Sequence, residues 1–289
     1  MATELIDEDE AVPTVPVKGV RDIVLVGSGK GGVGKSTVAV NLAIALAQTG
    51  KRVGIVDLDL SGPSVARLTG VDGTPELQAD GLAVPPQRHG VSVISLAGMI
   101  PPEQALAWKG PLVAQAVSQL FREVAWPDLD ILVGDLPPGT GDVLLNVVEL
   151  IPLAGVVVVT TPERMASIDA ERAVSLFHEH DIPVFGIVRN MADFICPCCG
   201  ERQPLFEPSQ AVDVPKHSHV VDLGSIPADL GAARQAGLGV PIMVAAPQGP
   251  TGQAFAGLAE AVVKAIAREH DSIEKKRRQQ KFWEMINGS

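Results

Sequence analysis

The segment Gly27-Ser-Gly-Lys-Gly-Gly-Val-Gly-Lys-Ser-Thr37 constrains the fold more than any other stretch of this 289-residue chain. It follows the β-branched run DIVLV and precedes a helical pattern from Lys35 to Thr49 that stops at Gly50. A strand, a glycine-rich loop and a helix in that order gather backbone N–H groups at a helix N-terminus, where they attract anions. So many glycines cost backbone entropy, which a turn with no ligand does not recover. Two phosphate patterns overlap here. Gly27, Gly29 and Gly32 satisfy the dinucleotide pattern G-x-G-x-x-G, with Asp57 ending the next strand where a ribose-binding acid would sit. Gly29-x4-Gly34-Lys35-Ser36 also satisfies the Walker A pattern. In that pattern the stretch Gly29, Lys30, Gly31, Gly32, Val33, Gly34, Lys35, Ser36, Thr37 cradles nucleotide phosphates, Lys35 meets the β/γ charge and Ser36 ligates Mg²⁺. A dinucleotide site needs neither Lys35 nor Ser36, so an ATP-binding loop is the favoured reading.

Beyond the loop, RVGIV, DILVG, GVVVVT, IPVFGIV and HVVDLG have strand character, and residues 111–125, 167–180, 230–236 and 251–270 fill helical slots. This alternation predicts an α/β fold with a mainly parallel β-sheet flanked by helices. Aromatics at 3% and no Tyr, against abundant Val, Ala, Leu and Gly, suit a sheet covered on both faces. The expected organisation is an acidic disordered leader over 1–19, a P-loop ATPase domain over 20–268 and a charged helical tail over 269–289. The leader has five acids in its first ten positions, then Pro13 and Pro16, and the tail ends in Phe282, Trp283, Met285 and Ile286. A net charge of −11 disfavours nucleic acid and anionic membranes as partners. No apolar stretch approaches the roughly 18 to 20 residues that span a bilayer, and the acidic start is unlike a secretory signal. The expectation is a cytoplasmic protein with no stable membrane association.

A phosphate-bound Mg²⁺ calls for carboxylates at the ends of neighbouring strands. Asp57 and Asp59 follow RVGIV in DLDLSGPS, and Asp135 follows DILVG in DLPPGTGD. Asp135 is the expected Mg²⁺ acid with Ser36, Asp57 supports the metal, and Asp59 orients the attacking water. Asp142 fits a helix cap, and residues 136–141 fit a loop that senses the γ-phosphate. The only cysteines, Cys196, Cys198 and Cys199, fall within four residues, which suits metal ligation in a reducing compartment and not a disulfide framework. Intrachain zinc is one option, because His217 and His219 lie shortly after the C-x-x-C pair.

With Lys30 after Gly29, GKGGVGKST resembles the deviant Walker A of the MinD, ParA and nitrogenase iron protein superfamily. That resemblance implies a homodimer sandwiching two nucleotides, with Lys30 reaching the partner's phosphates. Together DLDLSGPS, WKGPLV, DLPPGTGD, VVVVTTPE, NMADFICPCCG and GSIPAD, over roughly residues 20 to 265, look like the Mrp/ApbC family of iron–sulfur cluster carrier ATPases. The resemblance implies that Cys196 and Cys199 ligate a 4Fe–4S cluster bridging two subunits, with Cys198 a spare. It also implies that Asn190 and the backbone near Pro227 and Asp229 hold adenine. One C-x-x-C supplies half the thiolates of a cubane cluster, so two chains complete the set. Partners implied are upstream cluster donors and recipient apoproteins, with weak ATP hydrolysis as the switch. Two departures stand beside the cysteines: Arg189 precedes Asn190 where an acid is usual, and LFEPSQAVDVPKHSH replaces a Gly-rich Phe-Gly segment. The alternatives are a MinD/ParA-like positioning ATPase that uses its tail as an amphipathic anchor, and a nucleotide-dependent maturase or regulator holding zinc.

Overall fold

A computed structural model describes residues 17–59, 62, 64–72, 75–95, 117, 118, 120–196, 198–206 and 220–287. The leader to residue 16, WKGPLV, His217 and His219 lie outside the described residues. In chain order the strands are β1 (Val20–Gly27), β2 (Val53–Asp57), β3 (Glu76–Leu77), β4 (Ala83–Val84), β5 (Gln87–Arg88) and β6 (Val91–Ser95). They continue with β7 (Leu129–Asp135), β8 (Gly155–Thr160), β9 (Val184–Ile195), β10 (Arg202–Pro204) and β11 (Asp222–Ala228). The helices are α1 (Lys35–Gln48), α2 (Val65–Thr69), α3 (Asp142–Glu149), α4 (Arg164–Glu179), α5 (Leu230–Ala236), α6 (Ile242–Ala245) and α7 (Pro250–Asn287).

Strands β6, β2, β7, β1, β8 and β9 lie side by side in parallel, and β11 extends the sheet beside β9. Short antiparallel partners, β5 on β6 and β10 on β9, finish it. Alternate side chains of the central strands feed two separate cores. Val24, Val26, Ile55 and Val133 pack under α1 and α7, whereas Ile23, Leu25, Val56 and Leu132 pack under α3 and α4. Burial on both faces explains why β2 and β8 are apolar without a period-2 break until Asp57 and Thr160 end them. The register pairs Asp57 with Asp135, and Asp135 with Val26, one residue before the loop begins. Loop and acids therefore share the carboxyl edge of the sheet, where open parallel sheets bind ligands.

Several elements differ from expectation. β9 does not stop with IPVFGIV but runs to Ile195, because β11 and β10 give its outer half hydrogen-bonding partners. β11 starts at Asp222 and continues through Ser225, Ile226 and Pro227, buried by Leu223 and Ile226; it carries a proline because its far side is an edge. Asp142 opens α3, with Gly141 at the cap position. The helix of 251–270 and the charged tail are one 38-residue helix, α7, about 57 Å long at 1.5 Å per residue. Phe255, Leu258, Ala259 and Val262 bury its first half, and His270 Nε2 meets Asp22 Oδ1 at 2.7 Å. No Gly or Pro interrupts it between Leu258 and Ile286, so it continues as one helix, largely exposed over residues 273–279. Among the described residues no helix is long and apolar enough to cross a membrane.

Candidate functional site

The glycine loop is shaped by two kinds of need. Gly32 and Gly34 have φ of 84° and 82°, a left-handed backbone that glycine adopts without penalty. Gly29 and Gly34 are also packed too closely for a side chain. A Cβ on Gly29 would lie 2.0 Å from the carbonyl oxygen of Asp169 in α4, and one on Gly34 would lie 2.3 Å from Asn190 Nδ2. A Cβ on Gly31 or Gly32 would meet nothing within 4 Å, so the outer face of the loop is open to a ligand. Asn190 fixes the loop from β9 by donating from Nδ2 to the Val33 carbonyl at 2.9 Å. Below, the Gly139 N–H donates to the Ser28 carbonyl at 3.0 Å, which ties the loop to the segment after β7.

Lys35 begins α1 almost fully buried and donates to Asp135 Oδ1 at 2.6 Å; its ammonium also lies 3.4 Å from Ser36 Oγ. Asp135 has no exposure, and its other oxygen, Oδ2, has no hydrogen-bond partner among the described residues. Burial pushes the Asp135 carboxyl above its usual range, opposed by Lys35 beside it. Asp59, which reaches Asp135 electrostatically, accepts the Gly62 N–H on Oδ1 at 3.1 Å. Asp57, expected to support a metal, has both oxygens on backbone N–H groups: Oδ1 on Asp59 at 3.1 Å, Oδ2 on Ser64 at 2.9 Å and Val65 at 3.0 Å. It organises the turn that carries Asp59.

Burial, and after it the charge of Asp135, raise the Asp57 pKa to about 6. A free aspartate titrates near about 3.9, so the folded chain holds more protons than the unfolded chain between those values. The contribution of Asp57 to stability is therefore fully present below about pH 4 and is lost as pH rises to about 6. For the ligand-free protein, the unfolding free energy of wild type relative to Asp57→Asn should fall by up to about 3 kcal/mol across that window and level off above it. A difference that stays constant with pH in urea titrations would contradict this.

Beside Gly34 and Thr37 a largely apolar cavity of about 530 Å³ opens, walled by Asn190, Pro227, Asp229 and Phe255. That volume is ordinary for a small-molecule site. The Asp229 carboxylate is occupied by the cap of α5, accepting the Ala232 N–H at 2.9 Å and the Thr251 hydroxyl at 3.0 Å.

The cysteines form a separate feature. β9 passes Asn190 and ends at Ile195, and the chain returns antiparallel to it as β10. The Cys196 N–H donates to the Glu201 carbonyl at 2.9 Å, and the Gly200 N–H to the Cys196 carbonyl at 2.8 Å. Cys196 is half-buried, while Cys198 and Cys199 are exposed; all three are free thiols. Backbone N–H groups of Cys199 and Cys198 hold the Cys196 thiol below the usual cysteine range. Arg189, on the same strand, bonds to Asp222 at 2.8 Å and Ser225 at 3.2 Å, so it ties β11 to β9.

The fold thus gathers residues 29–37, Asp57, Asp59, Asp135, Asn190, Pro227 and Asp229 at one edge, and β9 runs about 17 Å further, at about 3.3 Å per residue, from Asn190 to Ile195, just before Cys196. Sequence reasoning missed Glu163, whose carboxylate accepts from Lys30. A charged residue three positions after β8, at the same sheet edge as the loop, was the available signal.

A family model described as ParA, NUBPL iron-transfer P-loop NTPase, matches residues 19–263. The iron-sulfur cluster carrier protein of Escherichia coli is 39% identical over 251 residues, covering 86% of this chain and 68% of that protein. The iron-sulfur cluster transfer protein NUBPL of Mus musculus is 38% identical over 253 residues, covering 87% of this chain and 79% of that protein. The nucleotide-binding protein of Archaeoglobus fulgidus, solved in complex with ADP, has a TM-score of 0.66 at 37% identity, covering 77% of this chain and 88% of that one.

Proposed function

This chain belongs to the NUBPL-type iron-transfer P-loop NTPase family, and on that premise we propose that it is an ATP-hydrolysing carrier of 4Fe–4S clusters. The observation that carries the reading is the continuity of β9. One strand, irregular at Met191 with φ of 52°, joins Asn190, which holds the loop at Val33, to the hairpin that presents Cys196 and Cys199. Relatives named as cluster carriers favour this over a positioning ATPase or a zinc-holding regulator.

The chemistry of the loop follows from its residues. Gly29 to Gly34 offer N–H groups to the phosphates, and Lys35 brings a buried positive charge to them, already paired with Asp135. The donor set fits Mg²⁺: the partnerless Asp135 Oδ2 and the Ser36 hydroxyl are hard oxygens. Asp135 and Ser36 would hold the metal, which would supply neutralisation of phosphate charge when bound. Asp57 acts from behind by fixing the turn, and Asp59 orients the water that attacks the γ-phosphorus, with ADP and inorganic phosphate as products. Asn190 and the backbone of Pro227 and Asp229 enclose adenine. Lys30 supplies charge across a homodimer, and two copies of Cys196 and Cys199 give the four thiolates that the cargo cluster requires. The carrier works in the cytoplasm between cluster donors and recipient apoproteins.

Anaerobic reconstitution with ferrous iron and sulfide tests this. The wild type should acquire cluster absorbance with about four irons per two chains. Cys196→Ser/Cys199→Ser should lose that absorbance while binding ATP unchanged. A chromophore that survives in the double variant, or none in the wild type, refutes the carrier reading.

A further inference from the structure

Within one chain the ammonium of Lys30 donates to Oε2 of Glu163. Glu163 occupies the cap position of α4 in extended backbone, φ −63° and ψ 134°. The missing Cβ of Gly29 lets the α4 backbone at Asp169 close onto the loop, which brings the start of α4 over Lys30. The Ser28 hydroxyl steadies the other side by donating to the Lys30 carbonyl at 2.9 Å. Lys30 and Glu163 remain 32% and 38% exposed, so a second copy of the chain can reach the pair. Lys30 holds the Glu163 carboxyl below its usual range, so Glu163 is a carboxylate at neutral pH.

An ammonium neutralised by a carboxylate offers less to another anion, so the two destinations of Lys30 compete. We propose that Glu163 is a positioning residue that latches Lys30 inside its own subunit and releases it only to the triphosphate of a second copy. The inference rests on the dimer reading above. A partly exposed carboxylate is a weak holder. A γ-phosphate cradled by backbone N–H groups displaces it, whereas a diphosphate presents less charge and leaves the latch shut. Glu163 thereby suppresses dimers that lack ATP.

Sedimentation velocity over a range of protein concentrations tests the latch, with Mg²⁺ and either a non-hydrolysable ATP analogue or ADP. Glu163→Gln keeps the shape of the side chain and removes its charge. With the analogue it should tighten the dimer about two- to five-fold, the range an exposed ion pair spans. With ADP the variant should dimerise at concentrations where the wild type stays monomeric. In a Lys30→Ala background, Glu163→Gln should shift nothing, because the latch then has no lysine to hold. Circular dichroism melting confirms that each variant folds. Equal dimerisation of wild type and Glu163→Gln, or the same shift without Lys30, overturns the latch and leaves the dimer standing. A wild type that never dimerises overturns the dimer reading and the latch together, without touching the cysteine-dependent chromophore.

Discussion

Lys35→Met should lose at least about a hundredfold in ATP turnover and, with no nucleotide present, about 3–5 kcal/mol of stability. The two losses have different origins. Turnover falls because the γ-phosphate loses its closest fixed cation. Stability falls because Asp135 has no exposure and accepts a 2.6 Å bond from Lys35 on Oδ1, while Oδ2 has no partner among the described residues. Methionine fills the space of the lysine stem, so the effect is one of charge and not of a cavity. Removing one member of a buried pair leaves the other uncompensated, which costs more than the pair contributed. The double variant Lys35→Met/Asp135→Asn should therefore recover most of the lost stability and none of the activity. Urea denaturation with parallel phosphate-release assays reads both. Equal stability of the single and double variants would refute the buried-charge account.

Gly29→Ala should detach the loop from α4, whereas Gly31→Ala, two residues along, should leave the fold intact. A Cβ at Gly29 overlaps the backbone of Asp169, 2.0 Å from its oxygen and 2.2 Å from its carbonyl carbon, and backbone within a helix cannot turn aside as a flexible side chain does. Overpacking of this kind costs about 1–3 kcal/mol or more. Relief requires the loop to move, which misaligns the N–H groups that cradle phosphate, so nucleotide affinity should fall more than about tenfold. Gly31 has neither a neighbour within 4 Å nor a positive φ, so alanine there should change stability by no more than about 0.5 kcal/mol. Differential scanning calorimetry and titration calorimetry with ATP separate the two. A Gly31→Ala variant as unstable as Gly29→Ala would contradict the packing argument.

Much of the site is local, and local features are visible in sequence. The order of strand, glycine loop and helix around Lys35, and the acids ending two strands, follow from backbone chemistry confined to a few residues. α5 at Leu230–Ala236 matches its helical pattern, and α1 differs from expectation only at its last residue. Features that depend on a distant partner were not visible. β9 continues past Val188 because β11 and β10, which come later in the chain, supply its hydrogen bonds. The hairpin that presents Cys196 exists for the same reason. β6 and α3 went unread because both are short, VSVIS at five residues and DVLLNVVE at eight, and a run of that length is a weak periodic signal.

By itself, then, the sequence held the residue types and spacings that carry the proposal: a loop with the phosphate-binding pattern at Gly29 to Thr37, acids after β2 and β7, and a C-x-x-C pair at Cys196 and Cys199. These are statements about residue types at fixed short spacing. Only the tertiary structure decided how they are coupled. It set both Asp57 oxygens on backbone N–H groups, paired Lys35 with Asp135 across 100 positions of chain, and turned Lys30 onto Glu163 across 133. A hydrogen bond has a range of about 3 Å in space and no range in sequence. Which carboxylate is open to a metal, and which cation is already engaged, is therefore settled when the sheet brings the carboxyl ends of β1, β2, β7 and β8, with Asn190 of β9, to one edge.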